Sequence, residues 1–72
     1  MPYVQVKMAY NEEPVSTEKK EEFIRAITQV IVDVLGRKKE NVLICIEESS
    51  PDNWGQGGML LTKARQQPKP AV

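Results

Sequence analysis

Hydrophobic and polar positions alternate from Tyr3 to Met8: Val4, Val6 and Met8 share one face, and Tyr3, Gln5 and Lys7 the other. A period of two predicts a half-buried strand, because successive side chains leave an extended backbone on opposite sides. The stretch from Tyr10 to Val15 holds Asn11, Glu12, Glu13 and Pro14 and reads as a connecting loop. Ser16 or Thr17 then stands where a side-chain oxygen caps free amides at a helix start. Phe23, Ile24, Ile27, Val30, Ile31, Val34 and Leu35 follow at three- and four-residue intervals, forming the broad apolar stripe of an amphipathic helix. Glu18, Lys19, Lys20, Glu21, Glu22, Arg25 and Asp33 lie largely off that stripe. Gly36 suits the left-handed conformation that ends such a helix.

A helix rising about 1.5 Å per residue is long enough to run back along the first strand and return the chain to its starting end. Val42, Leu43, Ile44, Cys45 and Ile46 form a continuous apolar run there, the pattern of a strand covered on both faces. Strand, helix and strand in this order predict an α/β (α+β) fold, one β-α-β unit with a right-handed crossover. Further on, residues 49–53 are turn-forming, Gly55, Gly57 and Gly58 permit tight bends, and Met59, Leu60 and Leu61 are apolar enough to pair. A short C-terminal hairpin is expected in this region. Residues 66–72 lack a core-forming pattern and read as a flexible tail, which leaves a single domain over residues 1–65.

A chain of 72 residues buries only about 60% of its unfolded surface, and domains of this size usually need a staple. Cys45 is the only cysteine and there is no histidine, so neither a disulfide nor a zinc site supplies one, and no metal is expected. Association with further copies remains. One helix covers one face of a two-stranded sheet, so the other face calls for a second subunit. Ten basic and ten acidic residues cancel without forming a block of one sign, and nucleic acid is not an expected partner. The apolar stretches fall far short of the roughly 20 residues of a membrane span, and no basic segment leads into a signal-type run. No membrane partner and a cytoplasmic location are expected. Cys45, inside the apolar strand, is read as a packed small side chain. Glu47 and Glu48, adjacent on a strand, point to opposite faces and cannot act together on one bond.

Pro2 follows Met1. Removal of Met1 leaves a prolyl secondary amine, and an unperturbed α-amino group titrates at about 7.7 to 8.0, near neutrality. Taken in order, Met1-Pro2, the β-α-β pattern, Ile46-Glu47-Glu48 and Asn53-Trp54-Gly55-Gln56-Gly57-Gly58 resemble the 4-oxalocrotonate tautomerase family, the small-subunit type of the tautomerase superfamily. The resemblance covers residues 2–65. It implies small subunits assembled as a homohexamer, no cofactor, and Pro2 as the catalytic residue at the base of an apolar pocket shared between neighbours. The prolyl nitrogen of such enzymes takes a proton from an enol and returns it to carbon. The implied substrate is a small 2-hydroxydienoate or a related unsaturated 2-oxo acid. To accept a proton the amine must be neutral, which an apolar wall or nearby cations promote. Trp54 occupies the position of the family's pocket aromatic.

The chain departs from the family at two arginines that hold substrate carboxylates. The loop ahead of the helix carries Glu12 and Glu13 instead, and the second position of the second strand is Leu43. A leucine does not replace a bidentate guanidinium. Arg37, Lys38 and Lys39, just before that strand, are therefore the remaining substrate-binding candidates, acting in a neighbouring subunit's pocket; their alternative role is a solvated helix end. Trp54 has the alternative role of an interface anchor, and the three glycines that of turn formers. Two functions follow: a one-base tautomerase, or an inactive oligomeric scaffold of the same fold. The state and importance of the terminal amine separate them. Hydration or dehalogenation of unsaturated acids needs a strong carboxylate clamp, and the missing arginines count against it.

Overall fold

The computed structural model describes residues 1–66. Along the chain these form β1 (Tyr3–Ala9), α1 (Thr17–Leu35), a 3-10 turn (Lys39–Asn41), β2 (Leu43–Ser49), a second 3-10 turn (Pro51–Asn53), β3 (Gly55–Gln56), β4 (Met59–Leu60) and α2 (Leu61–Gln66). β1 pairs with β2, and β3 with β4. The chain divides into two compact units, one of residues 1–8 and 15–47, the other of residues 9–14 with the chain from Glu48 onward.

The first unit is the β-α-β element. Leu43 N donates to Pro2 O at 2.9 Å, and Gln5 Nε2 donates to Glu47 Oε1 at 2.8 Å. Both strands thus start together and advance in the same sense, the parallel arrangement that a helical crossover permits. Of the two candidate caps, Ser16 caps α1: its backbone is extended, with φ −65° and ψ 156°, and its Oγ accepts from Lys19 N at 3.3 Å. Gly36 ends the helix in the left-handed region at φ 67°, and its N–H reaches Val32 O. Ser16→Ala is expected to lower stability by about 1 kcal/mol, read as a shift of the urea midpoint at fixed protein concentration with an unchanged slope.

Burial within this unit is shallow. Val4, Val6, Met8, Ile44 and Ile46 are half-buried, and Ile31 of α1, 7% exposed, is the one buried residue of this unit. Met8 and Ile46 of the sheet meet Val15, Lys20 and Phe23 around a small crevice of about 280 Å³. On the opposite sheet face Tyr3 is 57% and Leu43 55% exposed. The apolar run of β2 is therefore not covered on both faces by this chain, because one 19-residue helix reaches one face only. β2 also outlasts the apolar run, continuing through Glu47, Glu48 and Ser49.

In the second unit Ser50 caps the 3-10 turn, its Oγ accepting from Asp52 N at 3.1 Å. β3 and β4 are antiparallel, with Gly55 opposite Leu60 and Gln56 opposite Met59. The two residues joining them, Gly57 and Gly58, have φ of 61° and 84°, which a tight hairpin requires and glycine adopts without strain. α2 is an element the sequence pattern does not announce: six residues are too few to display a helical period. It is held by tertiary bonds. Arg65 Nη1 donates to Tyr10 O at 2.9 Å and Nη2 to Ala9 O at 3.5 Å, and Thr62 Oγ1 donates to Asp52 Oδ1. Gln66 closes this helix, and the rest of the expected tail lies outside the described residues. Among the described residues no helix is long and apolar enough to cross a membrane.

Candidate functional site

Pro2 stands directly before β1 and is half-buried. Proline has no N–H to give to a ladder, so it fits the first position of a strand. Its carbonyl is fixed by Leu43 N at 2.9 Å, which sets the residue beside the start of β2. Tyr3, next in the chain, and Leu43, across the ladder, are the large exposed apolar side chains around it. Tyr3 is its neighbour in sequence, whereas the parallel register brings Leu43 there. Met1, 86% exposed, precedes Pro2. While Met1 is attached the Pro2 nitrogen is an amide, with its lone pair delocalised into the carbonyl and no useful basicity.

Trp54 is half-buried and held at three points. Its backbone N donates to Pro51 O at 3.2 Å and its carbonyl accepts from Leu61 N at 2.8 Å. Its Nε1 donates to Ser49 Oγ at 2.7 Å, which satisfies the one polar atom of the indole and fixes the ring's orientation.

Arg37, Lys38 and Lys39 are exposed and follow the turn at Gly36. Together with Glu40 and with Arg25, Glu21, Ile24 and Val32 of α1 they line an open cavity of about 650 Å³. Pro2 is not among its lining residues, so within one chain the three cations and Pro2 are not brought together. Arg25 joins this group without a sequence signal, since it lies among several charges off the apolar stripe. The loop after β1 carries no cation of its own, but Arg65 reaches its first residue. A second small cavity, about 280 Å³, lies there between Asn11, Glu12, Pro51, Thr62, Arg65 and Gln66. Arg65 was not singled out by the sequence, where nothing links it to a loop 55 residues away. Among the described residues no three His, Cys, Asp or Glu side chains converge to hold a metal ion.

A parallel β-α-β unit followed by a glycine hairpin, with one sheet face left open, defines a small α+β subunit. The family model described as tautomerase enzyme matches residues 2–64, and the chain belongs to the tautomerase family. It is 37% identical over 67 residues to probable tautomerase K2 of Dickeya dadantii, covering 93% of this chain and 97% of that protein. Among solved structures it is similar to DmpI from Helicobacter pylori, with TM-score 0.76 and 28% identity over 93% of this chain and 100% of the other. It is also similar to a heterohexameric 4-oxalocrotonate tautomerase from Chloroflexus aurantiacus, with TM-score 0.74 and 27% identity over 88% and 97% of the two chains. The family is one of tautomerase-type isomerases and related enzymes.

Proposed function

We infer that this chain is a tautomerase whose Pro2 amine, once Met1 is removed, isomerises a small 2-hydroxydienoate or related unsaturated 2-oxo acid. The observation that carries this reading is the placement of Pro2 at the head of β1, with its carbonyl tied to Leu43 N in a chain of the tautomerase family. The neutral amine accepts the proton of the 2-hydroxyl. The oxygen lone pair becomes the carbonyl π bond, the conjugated double bond shifts, and the same nitrogen returns the proton to the far carbon. One base moves one proton, and no oxidant, reductant or further reactant is consumed.

Tyr3 and Leu43 are 57% and 55% exposed in the single chain, and a neighbouring subunit packed over them would supply the apolar surroundings that favour a neutral amine. Trp54, fixed by Ser49, offers a flat apolar surface that suits a conjugated substrate. Association supplies what a single chain lacks. Val30, Val34, Leu35, Tyr3 and Leu43 are all exposed, more apolar surface than a stable monomer of this size usually presents, and a homohexamer covers it. Arg37, Lys38 and Lys39 enter this reading only by acting on another subunit's Pro2.

The test is the rate of ketonisation of 2-hydroxymuconate by Met1-processed protein and by its Pro2→Ala variant. A fall of about 10²-fold in the variant is expected for a displaced general base. Equal rates in the two proteins would remove Pro2 from the mechanism. No turnover by either protein would favour the inactive oligomeric scaffold.

A further inference from the structure

The cavity on the flank of α1 has features that neither the Pro2 chemistry nor a solvated helix end explains. At about 650 Å³ it falls within the size range of small-molecule sites. The left-handed turn at Gly36 folds residues 37–40 back beside the helix they have just left. Ile24 and Val32 contribute apolar surface to it. Arg25, Arg37, Lys38 and Lys39 stand against two carboxylates, Glu21 and Glu40, a local surplus of positive charge in a chain whose net charge is zero. Among the described residues none of these four cations is ion-paired, although the two carboxylates line the same cavity.

Cations are favoured in the last turn of a helix by the carbonyl dipole, an effect confined to that turn. Arg25 sits in the middle of α1, which runs from Thr17 to Leu35, and that turn itself contains no basic residue. The dipole therefore does not account for the group. Like charges gathered without partners repel one another, and an arriving anion removes that cost. Guanidinium groups bind carboxylate or phosphate through paired N–H donors. The Gln29 amide is engaged along the helix with Asp33 Oδ1 at 2.8 Å, which leaves the charged side chains and the Thr28 hydroxyl as the recognition elements.

We propose that the α1 flank cavity is a binding site for a small organic anion carrying two negative groups on an apolar body. Arg25 and Arg37 hold the anionic groups, Lys38 and Lys39 add long-range attraction, and Ile24 and Val32 contact the body. Within one chain Pro2 does not line this site, and anion binding here needs no part of the Pro2 chemistry. A dicarboxylate and a phosphorylated metabolite share the required chemistry.

Two probes distinguish them: cis,cis-muconate, a conjugated dicarboxylate, and inorganic pyrophosphate, which has no apolar body. Each is titrated into the full-length protein while the methyl resonances of Ile24 and Val32 are followed by NMR. Saturable shifts at these methyls are expected with muconate. Affinity should fall about a hundred-fold in the Arg25→Gln/Arg37→Gln double variant, the loss of two charge-assisted contacts at about ten-fold each, and stay unchanged in Lys63→Gln on α2. The three substituted residues, Arg25, Arg37 and Lys63, are all exposed, and an otherwise unaltered backbone spectrum verifies the fold. Tighter binding of pyrophosphate than of muconate assigns the site to phosphorylated ligands. Shifts that never saturate, that survive the double variant, or that weaken equally in Lys63→Gln overturn the proposal.

Discussion

Protein that retains Met1 is expected to ketonise 2-hydroxymuconate about 10² to 10⁴ times more slowly than processed protein, the span that a positioned general base contributes. The cause is electronic. Acylation draws the nitrogen lone pair into a planar amide, which cannot accept the enol proton. The fold should be indifferent to it, since Pro2 takes part in the sheet through its carbonyl, which accepts from Leu43 N at 2.9 Å in the presence of Met1. Loss of rate without loss of melting temperature is therefore the signature. In preparations with different processed fractions, measured by intact mass, the rate should rise in proportion to the processed fraction. Pro2→Ala, which keeps a terminal amine after processing, should lie between the two. Full activity in a sample shown by mass to carry Met1 would end the proposal that the Pro2 nitrogen is the base.

Ile31→Ala should give the largest stability change of any single apolar truncation in the first unit, about 2 to 5 kcal/mol. Ile31 is 7% exposed, whereas Val34, one turn further along α1, is 74% exposed. Truncating Ile31 removes methylene groups that α1 withdraws from water and leaves a void that one helix over a two-stranded sheet cannot fill by collapse. Small domains have only about 5 to 15 kcal/mol in total, so this variant should approach loss of folding at low concentration. Val34→Ala should cost under about 0.5 kcal/mol if its surroundings are those of the single chain. A larger and concentration-dependent cost would place Val34 in a subunit contact. Urea titrations at two protein concentrations separate these cases, and an Ile31→Ala cost below about 0.5 kcal/mol would contradict the burial argument.

What the sequence revealed and what it hid follow from the range of the interactions concerned. β1, α1 and their junctions were legible because alternation, the apolar stripe, the Ser16 cap and the Gly36 turn are local, and each constrains its own few residues. The hairpin was legible for the same reason, since Gly57 and Gly58 announce positive φ. The extension of β2 to Ser49 was hidden, because that residue, read as part of the turn, stays extended through pairing with the end of β1, where Tyr10 N donates to its carbonyl, and not through its own preference. α2 was hidden because six residues carry no period and its anchor, Arg65, works on carbonyls of the first strand and loop. The site divides along the same line. Pro2 and Trp54 were proposed from the sequence, Pro2 by its place behind Met1 and both by the family resemblance. The place of Leu43 beside Pro2 emerges from strand register, and the company Arg25 keeps with Arg37, Lys38 and Lys39 depends on the path the chain takes after Gly36.

The bond between Pro2 O and Leu43 N also orders events in time. A ribosome makes the donor long after the acceptor, and the crossover helix must emerge in between. During that interval the first strand has no partner, and the N-terminus is an unstructured peptide accessible to an aminopeptidase. Closure of the ladder does not end that access: the bond engages the Pro2 carbonyl and leaves Met1 86% exposed, so the folded chain offers the same scissile bond that the nascent one did.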